Sequence, residues 1–262
     1  MMESVAGTGT TMTAAVGGGG AGPPDPTRVA RPSDGCGKDP NLTDQSISVY
    51  GSRATYIVDL PPGYDKARAY PLVLAFRDSD TTAEEFRDRL QLEAITGSKA
   101  ILVHANCLND AAAWEFTRDM PVFDALLPKL KDGLCVDEDR VFALGVGAGS
   151  LFVNLIGCVN ADDVRAIAAL TGAPAPPGPC TGNTAVWMMQ SNADPATLGA
   201  GRNNRDFWAD HNGCAPATTA STCAEYSGCQ ERYPVFYCEY DGDALPSTAL
   251  PQAWSFFQGL RN

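Results

Sequence analysis

RVFALGVGAGS, residues 140–150, is the stretch whose reading decides the fold. Val141, Phe142, Ala143 and Leu144 form a short continuous apolar run, the pattern of a parallel strand buried on both faces. Gly145, Gly147 and Gly149 then crowd into five residues, and residues 151–159 continue with apolar side chains at helical spacing. Strand, sharp turn and helix in this order make a nucleophile elbow, the turn that lifts a reactive side chain above the carboxyl end of a sheet. The centre of this elbow is Gly147, which carries no side chain to react. Its backbone is predicted to have φ above zero, a conformation that costs a side-chain-bearing residue ~1–3 kcal/mol and glycine little.

Outward from the elbow the chain alternates strands and helices. Buried strands are expected at residues 54–60, 71–76 (PLVLAF), 100–105 (AILVHA), 165–171, 184–190 and 233–240. Helices are expected from Ala83, capped by Thr81 or Thr82, and over residues 122–130, 151–159, 202–212 and 252–260. Such alternation means an α/β chain with a mostly parallel sheet and helices on both faces. Residues 1–34, rich in Gly, Ala, Thr and Pro, read as a disordered tether, and residues 35–262 as one domain.

The formal net charge of −12 excludes nucleic acid and anionic membrane as natural partners, since both select basic surfaces. No apolar run approaches the ~20 residues of a membrane span. Nine cysteines without C-x-x-C spacing, beside only two histidines, disfavour zinc and favour disulfides, and so an extracellular, periplasmic or cell-surface location. No metal or cofactor is expected. Glu3 and the weakly apolar residues 11–22 make a poor export signal, so the start lies upstream or export takes another route. The expected bridges are Cys223–Cys229 and Cys214–Cys238, with Cys158 and Cys180 together at the amino edge and Cys135 competing for either.

A set of short words, in order, carries a family resemblance: GCGK at 35–38, LPPGYD at 60–65, YPLVLAF at 70–76, FDALLPKL at 123–130, LCVDEDRVFALG at 134–145, WADHNGC at 208–214, the C-x-x-Y-x-x-C loop at 223–229 and WSFF at 254–257. Together they resemble the secreted feruloyl esterases and polyhydroxybutyrate-depolymerase-like esterases, which implies an α/β-hydrolase fold. The resemblance places the family's nucleophilic serine at Gly147, its triad acid at Asp194 and its histidine base at Asp243. The H-G pair that shapes the oxyanion hole falls on Arg77-Asp78, with Ala148 beside the elbow completing that region. Only Asp194 matches the triad.

Losing the serine removes the atom that attacks the acyl carbon, and an aspartate does not replace a histidine that must take up and return a proton near neutral pH. The resemblance therefore implies a degenerate carboxylic ester hydrolase with a binding or structural role, its ligand a polysaccharide, an aryl ester or a polyester. Two alternatives stand beside it: a weak extracellular ester hydrolase with an unrecognised nucleophile, and a cleft turned to other acid–base chemistry by Asp194 and Asp243. Ser150, Ser79, Ser191, His104 and His211 are read as structural. Trp114, in a loop after a strand end, is a candidate cleft wall, and Arg77 is expected to reach Asp243, Asp194 or Asp78 and to fill part of the acyl site.

Overall fold

The computed structural model describes residues 29–172, 174–215 and 223–260. Among these, nine strands form one sheet in the order β1-β2-β4-β3-β5-β6-β7-β9-β8. The strands are β1 (Ser46–Val49), β2 (Ser52–Asp59), β3 (Tyr70–Phe76), β4 (Ile101–Ala105), β5 (Val136–Val146), β6 (Ala166–Leu170), β7 (Ala185–Ser191), β8 (Cys223–Glu225) and β9 (Val235–Tyr240). The six from β4 through β9 in the sheet run parallel; β1, β2 and β8 pair antiparallel at the two sides. The helices are α1 (Ala83–Leu90), α2 (Leu92–Thr96), α3 (Phe116–Gly133), α4 (Ala148–Val159), α5 (Pro195–His211) and α6 (Ala249–Gly259).

Every residue of β3, β4 and β6 is buried, which is why these strands read as unbroken apolar runs. Side chains alternate between two cores. Leu72, Leu74, Val141 and Ala143 meet α3, α4 and α5, while Val73, Ala75, Phe142 and Leu144 meet α1, α2 and α6. The stacked rings of Phe142 and Phe257, 4.5 Å apart, join β5 to α6 on the second face. This is the α/β-hydrolase architecture that the resemblance implied.

Several boundaries differ from the sequence reading. α5 begins at Pro195, seven residues before the expected start, because the Asp194 side chain accepts from the Ala196 and Thr197 amides and Pro195 is preset for a first turn. α3 runs from Phe116, where Glu115 caps it, through both Pro121 and Pro128. Thr82 forms a capping box with Glu85, as expected for α1. Arg31, Pro32 and Ser33 fall inside the stretch assigned to the tether, yet they lie against the start of β5. Pro32 bridges Asp137, and the Ser33 amide donates to the Val136 carbonyl at 2.9 Å. The rest of the tether, residues 1–28, lies outside the described residues.

The disulfides are Cys36–Cys135, Cys158–Cys180, Cys214–Cys229 and Cys223–Cys238. The Cys158–Cys180 expectation holds; the other expected pairs are exchanged. The reason is β8, a short strand inside what reads as an irregular segment. It pairs with β9 so that Cys223 faces Cys238 directly, their Cα atoms 3.9 Å apart, and this leaves Cys214 to Cys229. Cys135 bridges Cys36 rather than competing for the amino-edge pair. A non-reducing peptide map should recover Cys214–Cys229 and Cys223–Cys238 as separate linked peptides. Recovery of Cys223–Cys229 would contradict the β8–β9 register. Cys107 is a buried free thiol, and burial pushes it up to about 12.

Candidate active-site cleft

At the carboxyl edge of the sheet, β5 turns into α4 at Gly147, with φ 55° and ψ −119°. The elbow is formed, and its centre holds the positive φ expected of it. The Gly147 amide donates to the Leu170 carbonyl and to Thr171 Oγ1, both at 3.0 Å. Gly145 and Gly149 serve a different need: a Cβ on either would strike backbone, that of Gly149 and of Phe76 respectively, where strand and helix touch. Ser150 is fully buried, its hydroxyl placed 2.7 Å from the Gly147 carbonyl and 2.9 Å from the Thr171 carbonyl. That hydroxyl fastens the turn and does not face the cleft.

The decisive side chain is Asp78, just past β3. Its Oδ1 accepts the Ala148 amide at 3.0 Å and the Ser79 amide at 2.7 Å. The Ala148 N–H follows the elbow centre and is the backbone donor that an elbow offers to a developing oxyanion. Here a carboxylate of the chain already occupies it. A Cβ built on Gly147 would overlap the Asp78 carboxyl group itself. Asp78 thus stands in the space of a nucleophile side chain and uses the amide that an oxyanion would use.

Arg77 departs from the sequence reading. It is only 2 % exposed and turns away from the cleft. Its guanidinium donates to the carbonyls of Asp78 (2.9 Å), Ala112 (3.1 Å) and Ala111, and approaches Cys107 Sγ at 3.3 Å. It reaches neither Asp194 nor Asp243, and it meets Asp78 through the backbone alone. Trp114 also departs: it is buried, stacked on Phe152 at 4.6 Å, with Nε1 donating to the Arg77 carbonyl at 3.0 Å. It belongs to the core beneath the elbow, because a large ring in a loop gains more from burial than from lining a wet groove.

Asp78, Asp194 and Asp243 line one cleft of about 770 Å³. Asp194 is exposed, and its accepted bonds from Ala196 and Thr197 hold its carboxyl below the usual range. Asp243 is likewise exposed, in the turn after β9. Leu90, Ile95, Leu245 and Leu250 supply apolar lining to the same cleft. Thr171, also in the lining, has φ 63°, a strained conformation for a β-branched residue that no local sequence signal marks.

Neither histidine enters the cleft lining. His211, at the end of α5, has Nε2 2.8 Å from the Gly182 carbonyl. His104 is fully buried on β4, its Nε2 3.6 Å from Asp59 Oδ2. Neither has a serine or cysteine partner among the hydrogen bonds of the described residues.

No family model matches the chain. Feruloyl esterase D of Neurospora crassa is 30% identical over 264 residues, covering 87% of this chain and 91% of the relative. Feruloyl esterase C of Emericella nidulans is 31% identical over 251 residues, 86% and 90% of the two chains. The chain belongs to the feruloyl esterase family. The solved structure of a ferulic acid esterase superposes with a TM-score of 0.61 at 13% identity, over 81% of this chain and 95% of that one, and so shares the fold. Acetyl xylan esterase from Aspergillus awamori does the same at 0.59 and 10%, over 78% and 94%. The elbow of this chain has no side chain at its centre, and the amide that follows it is bonded to an internal carboxylate.

Proposed function

We propose that this chain is a catalytically silent feruloyl esterase homologue that binds an aryl ester in its cleft outside the cell. The observation that carries the reading is the Asp78 carboxylate on the Ala148 amide, in the space above Gly147. Acyl transfer needs a nucleophile, a base that moves its proton, and free donors for the tetrahedral oxyanion. Gly147 and Asp243 remove the first two, and Asp78 takes the backbone donor. Asp194, which the resemblance makes the triad acid, starts a helix here.

The cleft itself persists as a binding shape. Its apolar lining of Leu90, Ile95, Leu245 and Leu250 suits an aromatic ring, and the aspartates of the same lining suit hydroxyl donors. The same three carboxylates repel an anion, so a neutral ester is preferred to the free aryl acid. Four disulfides among the described residues support an oxidising, extracellular setting.

The test combines turnover with binding. Methyl ferulate and p-nitrophenyl acetate should be hydrolysed no faster than in buffer, and a fluorophosphonate probe should leave the protein unlabelled. Methyl ferulate should nevertheless bind, and ferulate should bind much more weakly. Hydrolysis with a fluorophosphonate adduct on Ser150 would show an active enzyme with a displaced nucleophile. Equal affinity for ester and acid would remove the argued role of the three aspartates.

A further inference from the structure

Three side chains from three elements converge, one of them on α2, which also carries the cleft residue Ile95. Asp59 ends β2, His104 sits on the neighbouring β4, and Glu93 projects from α2. One ligand-type atom from each lies within 4.8 Å of the others. His104 is fully buried, and neither of its ring nitrogens has a hydrogen-bond partner. Asp59 Oδ2, also buried, has none either, and faces His104 Nε2 at 3.6 Å. Buried polar groups are almost always paired, so an imidazole and a carboxylate oxygen facing each other unpaired need an explanation.

We propose that Asp59, Glu93 and His104 form a site for a divalent transition-metal cation of the Zn²⁺ type. One imidazole and two carboxylates are a donor set that Zn²⁺ accepts, with a fourth position for water. Metal–ligand bonds of about 2.0–2.2 Å put neighbouring tetrahedral ligands about 3.3 Å apart, so the observed 3.6 Å closes with a small adjustment. The Arg87 guanidinium is the nearby cation, 3.8 Å from Asp59 Oδ1; it also pairs with Asp88 and leaves Oδ2 open. Glu93 is exposed and provides the entry path.

Zinc is disfavoured in the sequence on cysteine and histidine counts alone. The donor set assembled here uses no cysteine and draws its ligands from positions 34 and 11 residues apart, a separation that only the fold brings together. A bound ion would fasten α2 to β2 and β4. Because α1 and α2 carry Leu90 and Ile95 into the cleft, it would also set the position of the apolar lining.

The test uses the full, disulfide-bonded chain after dialysis against a chelator. Thermal unfolding is followed with and without Zn²⁺ at about 100 times its dissociation constant, obtained by titration calorimetry. Wild type should bind one Zn²⁺ and gain about 5 °C or more in unfolding temperature. Glu93→Gln, an exposed change that spares the core, should unfold near the metal-free wild-type temperature and lose the Zn²⁺ response. Asp59→Asn should lose it as well. A wild type that neither binds Zn²⁺ nor shifts would overturn the site. So would a Glu93→Gln protein that responds as wild type does, because His211 or another surface group would then be the ligand.

Discussion

A protein carrying Gly147→Ser and Asp243→His together should hydrolyse no ester, and adding Asp78→Gly should start turnover. The double change supplies a nucleophile and a base, yet the new serine enters the space of the Asp78 carboxyl group, which still holds the Ala148 amide. The serine must also accept the φ of 55° that Gly147 adopts, at a cost of about 1–3 kcal/mol beyond the overlap. Removing the Asp78 side chain clears both the collision and the donor. Loss of one oxyanion donor costs acyl-transfer enzymes about 10²–10³ in rate, so the triple variant should exceed the double by at least ~10². The measurements are p-nitrophenyl acetate hydrolysis and fluorophosphonate labelling, with unfolding curves to show that each variant is folded. Turnover in the double variant, with Asp78 in place, would show that the carboxylate moves aside and is not a block.

Arg77 should be left alone in any such repair, and the second large effect is its removal. Arg77→Met should destabilise the fold by about 1–3 kcal/mol. Among the described residues the guanidinium is the one donor to the Ala111 carbonyl, which a methionine leaves unpaired at roughly 1–3 kcal/mol, whereas the Asp78 and Ala112 carbonyls keep Thr81 Oγ1 and the Asp80 amide. Relief from burying a charge offsets part of that loss. The loop that these bonds hold also carries Trp114, whose Nε1 donates to the Arg77 carbonyl, so the floor of the elbow should loosen with it. Urea denaturation of wild type and variant measures the difference. A loss under about 0.5 kcal/mol, the size of an ordinary surface substitution, would mean that water replaces the guanidinium without cost.

The two variants mark where sequence reasoning reaches and where it stops. The elbow was readable because steric necessity writes it in glycine: one position needs a positive φ, and two more sit where backbones touch. The buried strands were readable because both faces are covered, which leaves no polar alternation. Arg77 and Asp78 were singled out as the altered oxyanion pair, but their roles were inverted. Strand periodicity ends at Phe76, and beyond it nothing local says which of two adjacent charged side chains turns inward. That choice is made by carbonyls of residues 111 and 112, more than thirty positions away. The disulfide exchange has the same origin, since the three-residue β8 is defined by its partner β9 and carries no pattern of its own. The Asp59–Glu93–His104 cluster is invisible for a related reason: each residue alone is an ordinary strand end, helix face or core position.

The pairing of Arg31, Pro32 and Ser33 with the beginning of β5, together with the Cys36–Cys135 bridge, also determines how the molecule would stand on a support. The ten residues of strand between Asp137 and Gly147 separate that anchorage from the cleft by roughly 30 Å at the usual rise per residue. The described chain therefore enters the domain, at residue 29, from the pole opposite the cleft. A support that holds the domain by this pole leaves the cleft facing the medium.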